Sequence, residues 1–445
     1  MMEKQLDYKQ YLALAIPFVI STVTQPLLGA VDTAVLGRLD DPAFMGGVAI
    51  GAVIFNTMYW LFGFLRVSTS GFSAQSLGTR SEKDSLYAYF RPASIAILIG
   101  FIFILLQYPI RQGAMGLFKP DQDVLVSAVT YFNILIWGAP FVLIGYVNLG
   151  WLMGRKHVKE TLFLQVSTNV LNIILDILFV VVWKQGVYGV AVATLISQIY
   201  GFAIGTILIS RKLDYKKVFK YSSDIFDKIA YRKIIGVNTD LFIRTICLLT
   251  MTNMFVAKGS LFGKDILAAN AVLFQIQYIL AYLYDGFANA ASVYAGKAVG
   301  EKDVKAYKNL VKIATVCAVA LSGALTIMLM FFVDDMIYLF TNIQEVIVIA
   351  MNYRLWLVAF PFVISFGLVY YGIFTGCTYT RAIRNSMIIS LVAFIIVYVL
   401  ATPMLDNHGL WLAFMIFSFS RSIILYLYKN RLEKDVFYSI VKDYK

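Results

Sequence analysis

Asp32 and Asp176 are the residues of this 445-residue chain whose type and placement could do chemistry, because each interrupts a run of apolar side chains. Asp32 lies in "QPLLGAVDTAVLGRLDD" and Asp176 in "NVLNIILDILFVV". A carboxylate at the centre of a bilayer costs on the order of 3 kcal/mol on insertion scales, so each calls for a function or a partner. Counting back from Arg38 and Lys184 at 1.5 Å per residue puts both acids about 9 to 12 Å below the outer surface. Asn172 shares the face of Asp176 at i, i+4 spacing. Thr194, ten residues beyond Lys184, returns to a similar depth. Two carboxylates, an amide and a hydroxyl make an oxygen-rich set suited to a proton or to a small hard cation such as sodium held at Asp32, Asn172 and Asp176. With no basic residue of the same half near them, the two acids form a natural proton carrier. Asn172 and Thr194 taken alone are equally well explained as hydrogen-bonding glue between helices.

A second polar set falls in the other half of the chain. Asp240 and Arg244 are four residues apart on one helix face, and counting inward places Arg244 about 16 Å and Asp285 about 18 Å deep. Arg244 can reach either acid. A satisfied ion pair is the expectation, with a substrate or coupling role as the alternative. Arg66 and Arg354 also fall within apolar runs, and no role is assigned to them. Pro17 and Pro26 precede Asp32 on the same run; each removes a backbone hydrogen bond and favours a kink, so both are hinge candidates beside a titratable acid. A fixed kink is the alternative.

The elements that position these residues are membrane-spanning helices. Hydrophobic residues make up 60% of the chain and charged ones 14%, with a mean hydropathy of +0.75, well above a soluble protein of about 45 to 50% apolar content. Stretches long enough to cross about 30 Å of hydrocarbon fall near 10–36, 46–72, 88–111, 124–153, 158–183 and 186–210, then near 230–257, 266–296, 306–332, 345–376, 383–402 and 408–429. The expected fold is therefore all-α, with twelve transmembrane helices. Of 38 basic residues, 28 fall in segments on one side and six on the other, with Arg66, Arg244, Arg354 and Arg421 inside spans or at their ends. The positive-inside rule puts both termini in the cytoplasm. No cleavable leader is read at the N-terminus, so the first apolar run is expected to stay as a helix.

Several function classes are disfavoured. The net charge of +12 resides between apolar segments and reflects membrane topology; no nucleic-acid partner is expected. Cys247, Cys317 and Cys377 have no metal or redox spacing. His157 and His408 lie in loops without motif partners, which argues against an intramembrane enzyme, and no GxxxxGK[ST] phosphate loop is present to drive an ATP pump. A passive channel fits poorly with buried acids.

The chain also repeats itself, at a shift of about 222 positions. "PFV" at 140–142 recurs at 361–363, "GWLMG" at 150–154 answers "GIFTG" at 372–376, and "AQSLGTRSEKD" from Ala74 resembles "GKAVGEKD" from Gly296. Two six-helix lobes in parallel orientation follow: residues 1–210, a cytoplasmic linker at 211–229, and residues 230–445. The shift maps Asp32 to Met254, Asn172 to Phe394 and Asp176 to Tyr398, so the second lobe lacks the acid set.

"PLLGAVDTAVLGRLDDPAFMGGVAIGA", "NVLNIILDILFVV", "GVYGVAVATLIS", "LAANAVLFQI" and "YDGFANAASVYAGKAVG" resemble the multidrug and toxic compound extrusion (MATE) family, in particular its DinF-like branch, over residues 10–430. The resemblance implies an antiporter of a bacterial cytoplasmic membrane that exports lipophilic, cationic organic compounds against inward flow of protons or sodium. It also implies a monomer with small organic substrates and membrane lipids as its partners, no cofactor, and a cation or proton site at Asp32, Asn172, Asp176 and Thr194. Pro17 matches the family's first-helix proline, and Pro26 fits the DinF-like pattern. The family's second-lobe acids are not matched, since the tenth span has only Glu345 at its edge and the seventh has Asp240. A lipid or glycolipid flippase on the same duplicated plan is the alternative.

Overall fold

The computed structural model describes residues 6–36, 42–214, 217 and 221–438, and their side chains apart from those of 23–36, 42, 222 and 223. Backbone N–H and C=O groups have no water to bond with inside a bilayer, so an apolar chain must satisfy them within helices. The described residues contain helices and no strand.

In chain order these are α1 (Tyr8–Leu36), α2 (Pro42–Leu61), α3 (Phe64–Thr79), α4 (Glu82–Leu105), α5 (Gln107–Phe118), α6 (Gln122–Leu135), α7 (Ala139–Gly154), α8 (Val158–Asp176) and α9 (Gly186–Ser210). There follow α10 (Ser222–Ile225), α11 (Lys228–Leu261), α12 (Lys264–Glu301), α13 (Val304–Phe340), α14 (Gln344–Gly376) and α15 (Thr380–Glu433). Ten helical stretches among the described residues are long and apolar enough to cross a membrane. The last of them breaks at Asp406, whose φ of 47° is non-helical, and so makes two passes; α1 adds one more, giving twelve. The third span ends at Leu106, and the short helix α5 that follows it was not expected from the apolar run.

The repeat is written into the backbone. Arg80 and Lys302, Lys156 and Thr378, and Lys184 and Asp406 are pairs of non-glycine residues in left-handed conformation, and the members of each pair occupy equivalent positions of the two halves. Ser81 accepts from the amide of Asp84 and caps α4, while its equivalent Asp303 accepts from the amides of Lys305 and Ala306 and caps α13. Such caps satisfy amides that a helix start leaves unpaired. The helix crossings repeat as well. A Cβ on Gly150 would overlap the carbonyl of Arg66, and one on Gly154 that of Ser70; in the second half Gly372 meets Ala288 and Gly376 meets Ser292 in the same way. Backbone-to-backbone approach of this kind holds helices together where lipid offers no hydrophobic drive.

The chain divides into two compact units, Val23–Ile235 and Met1–Thr22 with Gly236–Lys445. This departs from the expected boundaries in two places, each with a local cause. The first is the start of α1, which is bonded into the second unit: Tyr11 donates to the carbonyl of Phe287 at 2.8 Å, Thr22 to that of Tyr282 at 2.9 Å, and Asn309 donates to Leu6 at 2.7 Å. The second is the expected linker, which folds back on the first unit. Asp224 pairs with Lys83 at 2.7 Å and accepts from the Tyr87 hydroxyl, while Arg91 donates to the carbonyls of Asp224 and Ile225.

Each unit has its own apolar core. In Val23–Ile235 it gathers Phe55, Tyr131, Phe132 and Ile136. In the other it centres on Phe255, Phe274, Trp411 and Phe414, with ring centroids 4.6 to 6.0 Å apart. Asn270 and Asn407 exchange amide hydrogen bonds at 2.8 and 3.0 Å, and Trp411 donates to Asn270 at 2.9 Å, which pins the turn at Asp406 to α12. All three cysteines are buried and free.

Replacing Gly154 or Gly376 by valine should cost about 1 to 3 kcal/mol, because the neighbour that must yield is backbone. Gly145, which faces nothing within 4 Å, should accept alanine without loss. Thermal unfolding in detergent, read by tryptophan fluorescence, checks both.

Candidate functional site

Asn172 and Asp176 lie on one face of α8, both buried, and the Asn172 amide donates to Oδ2 of Asp176 at 3.0 Å. Spacing of four residues brings them together, as the sequence indicated. Asp176 is the last α-helical residue: the next six, Ile177–Val182, form a π-helical turn before the chain reverses at Lys184. The wider turn shows in the bonds from the amide of Trp183 to Leu178 and from that of Gln185 to Phe179, both 2.9 Å. Single π turns inside α-helices recur at functional positions. The acid is thus placed where helical pitch changes.

Thr194 lies eight residues into α9, which packs against α8; an added Cβ on Gly189 would sit 3.1 Å from Phe179 Cβ, and this register brings Thr194 near the level of Asp176. Its hydroxyl donates to the carbonyl of Val190 at 3.0 Å and not to the acid pair. The oxygen keeps lone pairs free to accept. Asp32 and Pro26 lie on α1 where side chains are outside the described residues, so their part in the set is carried by the sequence alone. The helix itself continues through both Pro17 and Pro26. Among the described residues no three of His, Cys, Asp and Glu gather as a metal cluster.

The counterpart in the second half is aromatic. Phe394 and Tyr398, the equivalents of Asn172 and Asp176, bring their rings to 5.7 Å, and Met254 packs at the edge of the apolar core. The Asn172–Asp176 pair therefore has no carboxylate equivalent in the second half.

Comparison with known proteins agrees with this architecture. A family model described as MatE matches residues 17–178 and 242–402. The chain belongs to the MatE family. It is a multi-pass membrane transporter of the multidrug and toxic compound efflux type, and not an enzyme. DNA damage-inducible protein F of Escherichia coli (strain K12) is 31% identical over 412 residues, covering 93% of this chain and 90% of the relative. A probable multidrug resistance protein NorM of Photorhabdus laumondii is 24% identical, covering 95% of each chain. A crystal structure of MATE in complex with MaD3S superposes with a TM-score of 0.86 at 20% identity, over 97% of both chains.

In this MatE transporter the second polar set is arranged differently from the sequence expectation. Asp240 does not pair with Arg244. It accepts from Arg384 at 2.8 Å and from the Thr380 hydroxyl at 2.8 Å, both on α15. The reason is geometric: the i, i+4 ladder offers Arg244 a short-range option, but the acid faces α15, where a guanidinium and a hydroxyl can each take one carboxylate oxygen. Arg244 instead lies over the ring of Tyr371 at 4.5 Å. Asp285 lies on α12 and its charge acts on Arg421 of α15. Arg354 is bonded through one nitrogen to both oxygens of Asp334, at 2.8 and 2.6 Å, a pair that sequence reading left unassigned.

Two features had no sequence signal. The π-helical turn leaves no composition mark in "ILFVVV". Tyr59 buries its hydroxyl without a hydrogen-bond partner among the described residues, yet in "FNTMYWLFG" it reads as one more aromatic of the membrane belt.

Asp240→Asn and Arg384→Gln should each destabilise the protein by about 1 to 3 kcal/mol, the range for leaving a charged partner unpaired, reduced here because Arg384 is one-third exposed. A double-mutant cycle on detergent melting should be strongly non-additive for this pair and additive for Asp240 with Arg244.

Proposed function

We propose that the protein is a secondary antiporter that exports lipophilic organic compounds in exchange for protons or sodium, with both termini in the cytoplasm. The observation that carries this reading is the buried Asn172–Asp176 pair at the junction of α8 with its π-helical turn, present in one half of a duplicated scaffold and replaced by Phe394 and Tyr398 in the other. A carboxylate bonded by one amide, with a hydroxyl oxygen nearby, can exchange a proton or hold a small cation, and loading it changes the local charge. Asp32 is the second carboxylate of the set and Thr194 its hydroxyl. Their approach to Asp176 follows from depth along the helices. Pro17 and Pro26 give α1 the two positions at which it can bend when the charge at Asp32 changes.

Cationic substrates follow from the family resemblance and from an aromatic content of 15%, since ring faces accept cations. The location is a bacterial cytoplasmic membrane, where basic segments ordinarily face inward, and the transporter works as a monomer without a cofactor. Structural neighbours have been described in a bent and in a straight conformation. A bend is the kind of change that ion loading at α1 would drive here.

Dye efflux from proteoliposomes should respond to an imposed pH gradient or to an imposed sodium gradient, and the two are set up separately. Asp176→Asn and Asp32→Asn should each reduce gradient-driven efflux to the level of protein-free vesicles. Unchanged, gradient-dependent efflux in both variants would overturn the assignment of the coupling site.

A further inference from the structure

Within the unit made of Met1–Thr22 and Gly236–Lys445, two arginines at membrane depth, Arg244 and Arg421, form no ion pair within 4 Å among the described residues. Asp240 is neutralised by Arg384 and bonded by Thr380. Asp285 is the acid, among the described residues, whose charge acts on Arg421, while Arg244 acts on Arg421 with like sign. Arg421 is only 5% exposed. Its Nη2, and Nε of Arg244, are shielded from solvent and have no hydrogen-bond partner among the described residues. A guanidinium does not shed its proton to escape this situation. Buried without a matching anion, it is unfavourable unless something else supplies acceptors.

The two groups converge on one side chain. Arg244 Cζ lies 4.5 Å and Arg421 Cζ 5.8 Å from the centre of the Tyr371 ring. A ring face attracts a cation but accepts nothing from the N–H groups in the guanidinium plane. Those donors therefore remain available on two helices, α11 and α15, with the Tyr371 ring between them on α14, all in one compact unit. The repeat underlines that the arrangement is particular to this half: the first-half equivalents of Arg244, Tyr371 and Arg421 are Thr22, Leu149 and Ile199.

We propose that Arg244 and Arg421, sharing Tyr371, bind the anionic group of an amphipathic organic compound, a carboxylate, sulfonate or phosphate attached to an aromatic or lipophilic body. Paired guanidinium groups match such anions in geometry and charge, and the phenol ring supplies a surface for the apolar part. This deepens the export reading, on which it rests, by adding to its cationic substrates compounds that carry a negative group, alone or beside a positive one.

The test is equilibrium binding to the purified full-length protein in detergent, without any ion gradient, so that failure of gradient-driven efflux and failure of this site are separate results. Fluorescein, an anion at neutral pH, and tetramethylrhodamine methyl ester, a cation with the same xanthene body, are the probes, read by fluorescence anisotropy. Wild type should bind fluorescein, and excess sodium benzoate should displace it. Arg244→Gln and Arg421→Gln should each weaken fluorescein roughly tenfold or more, the scale of a lost charged hydrogen bond, with the rhodamine ester unaffected. Arg421→Lys should retain more of the binding than the glutamine variant. The proposal is overturned if wild type does not bind fluorescein, or if both glutamine variants melt like wild type and bind it equally well or lose both dyes alike. Displacement by dioctanoyl phosphatidylglycerol but not by benzoate would also overturn it, assigning the arginines to a lipid headgroup. The competition measurements on wild type decide the matter even if a variant fails to fold.

Discussion

The structure depends on helices approaching at backbone distance where glycine removes the side chain. Apolar side chains gain little by leaving lipid for one another, so a bundle in a bilayer needs close packing to hold it. Gly150 and Gly154 supply it where α7 crosses α3, and Gly372 and Gly376 where α14 crosses α12. Around these crossings the same turns recur. Arg80 and Lys302 close their helices in left-handed conformation, and Lys184 and Asp406 reverse the chain before the last span of each half. The scaffold was duplicated together with the contacts that stabilise it.

Because packing resides in glycine crossings and turns, the polar residues of each half were free to diverge. In the first half, Asn172 and Asp176 form a bonded pair at the end of α8; in the second, the same positions hold two neighbouring aromatic side chains. Conversely, Arg244 and Arg421 gather on Tyr371 where the first half has threonine, leucine and isoleucine. One half concentrates acid oxygen, the other guanidinium. Each half of the duplicated scaffold thus carries a polar cluster at positions where the other half is apolar or aromatic.

Much of this was legible in the sequence. Span lengths gave the helices because lipid enforces both apolarity and length, and the repeat was visible because "GWLMG" and "GIFTG" preserve the crossing glycines. The Asn172–Asp176 bond followed from i, i+4 spacing alone. The same rule misassigned Asp240, whose partners Arg384 and Thr380 come from a helix far along the chain. Spacing along one helix reports short-range neighbours and is silent about which face meets another helix. Arg421 was noted only as a charge at a span end, since its convergence with Arg244 depends on α14 presenting Tyr371 to both.

The start of α1 was also misplaced by sequence, and the reason bears on where that helix can bend. Equal division into six and six helices assigned all of α1 to the first lobe, yet its residues through Thr22 cluster with the second unit. The single hydroxyl proton of Thr22 has the carbonyls of Phe18, Val19 and Tyr282 within 2.9 to 3.1 Å, so its side chain can bond to its own helix or to α12. Its carbonyl is the one that Pro26 cannot serve, because proline has no N–H to donate back to the residue four positions earlier. The helical hydrogen-bond ladder is therefore interrupted at the residue where the chain passes from one unit into the other. Asp32 follows further along the same helix. A helix is stiff where its ladder is complete and yields where a rung is missing, so the weakest point of α1 lies where the chain leaves one unit for the next.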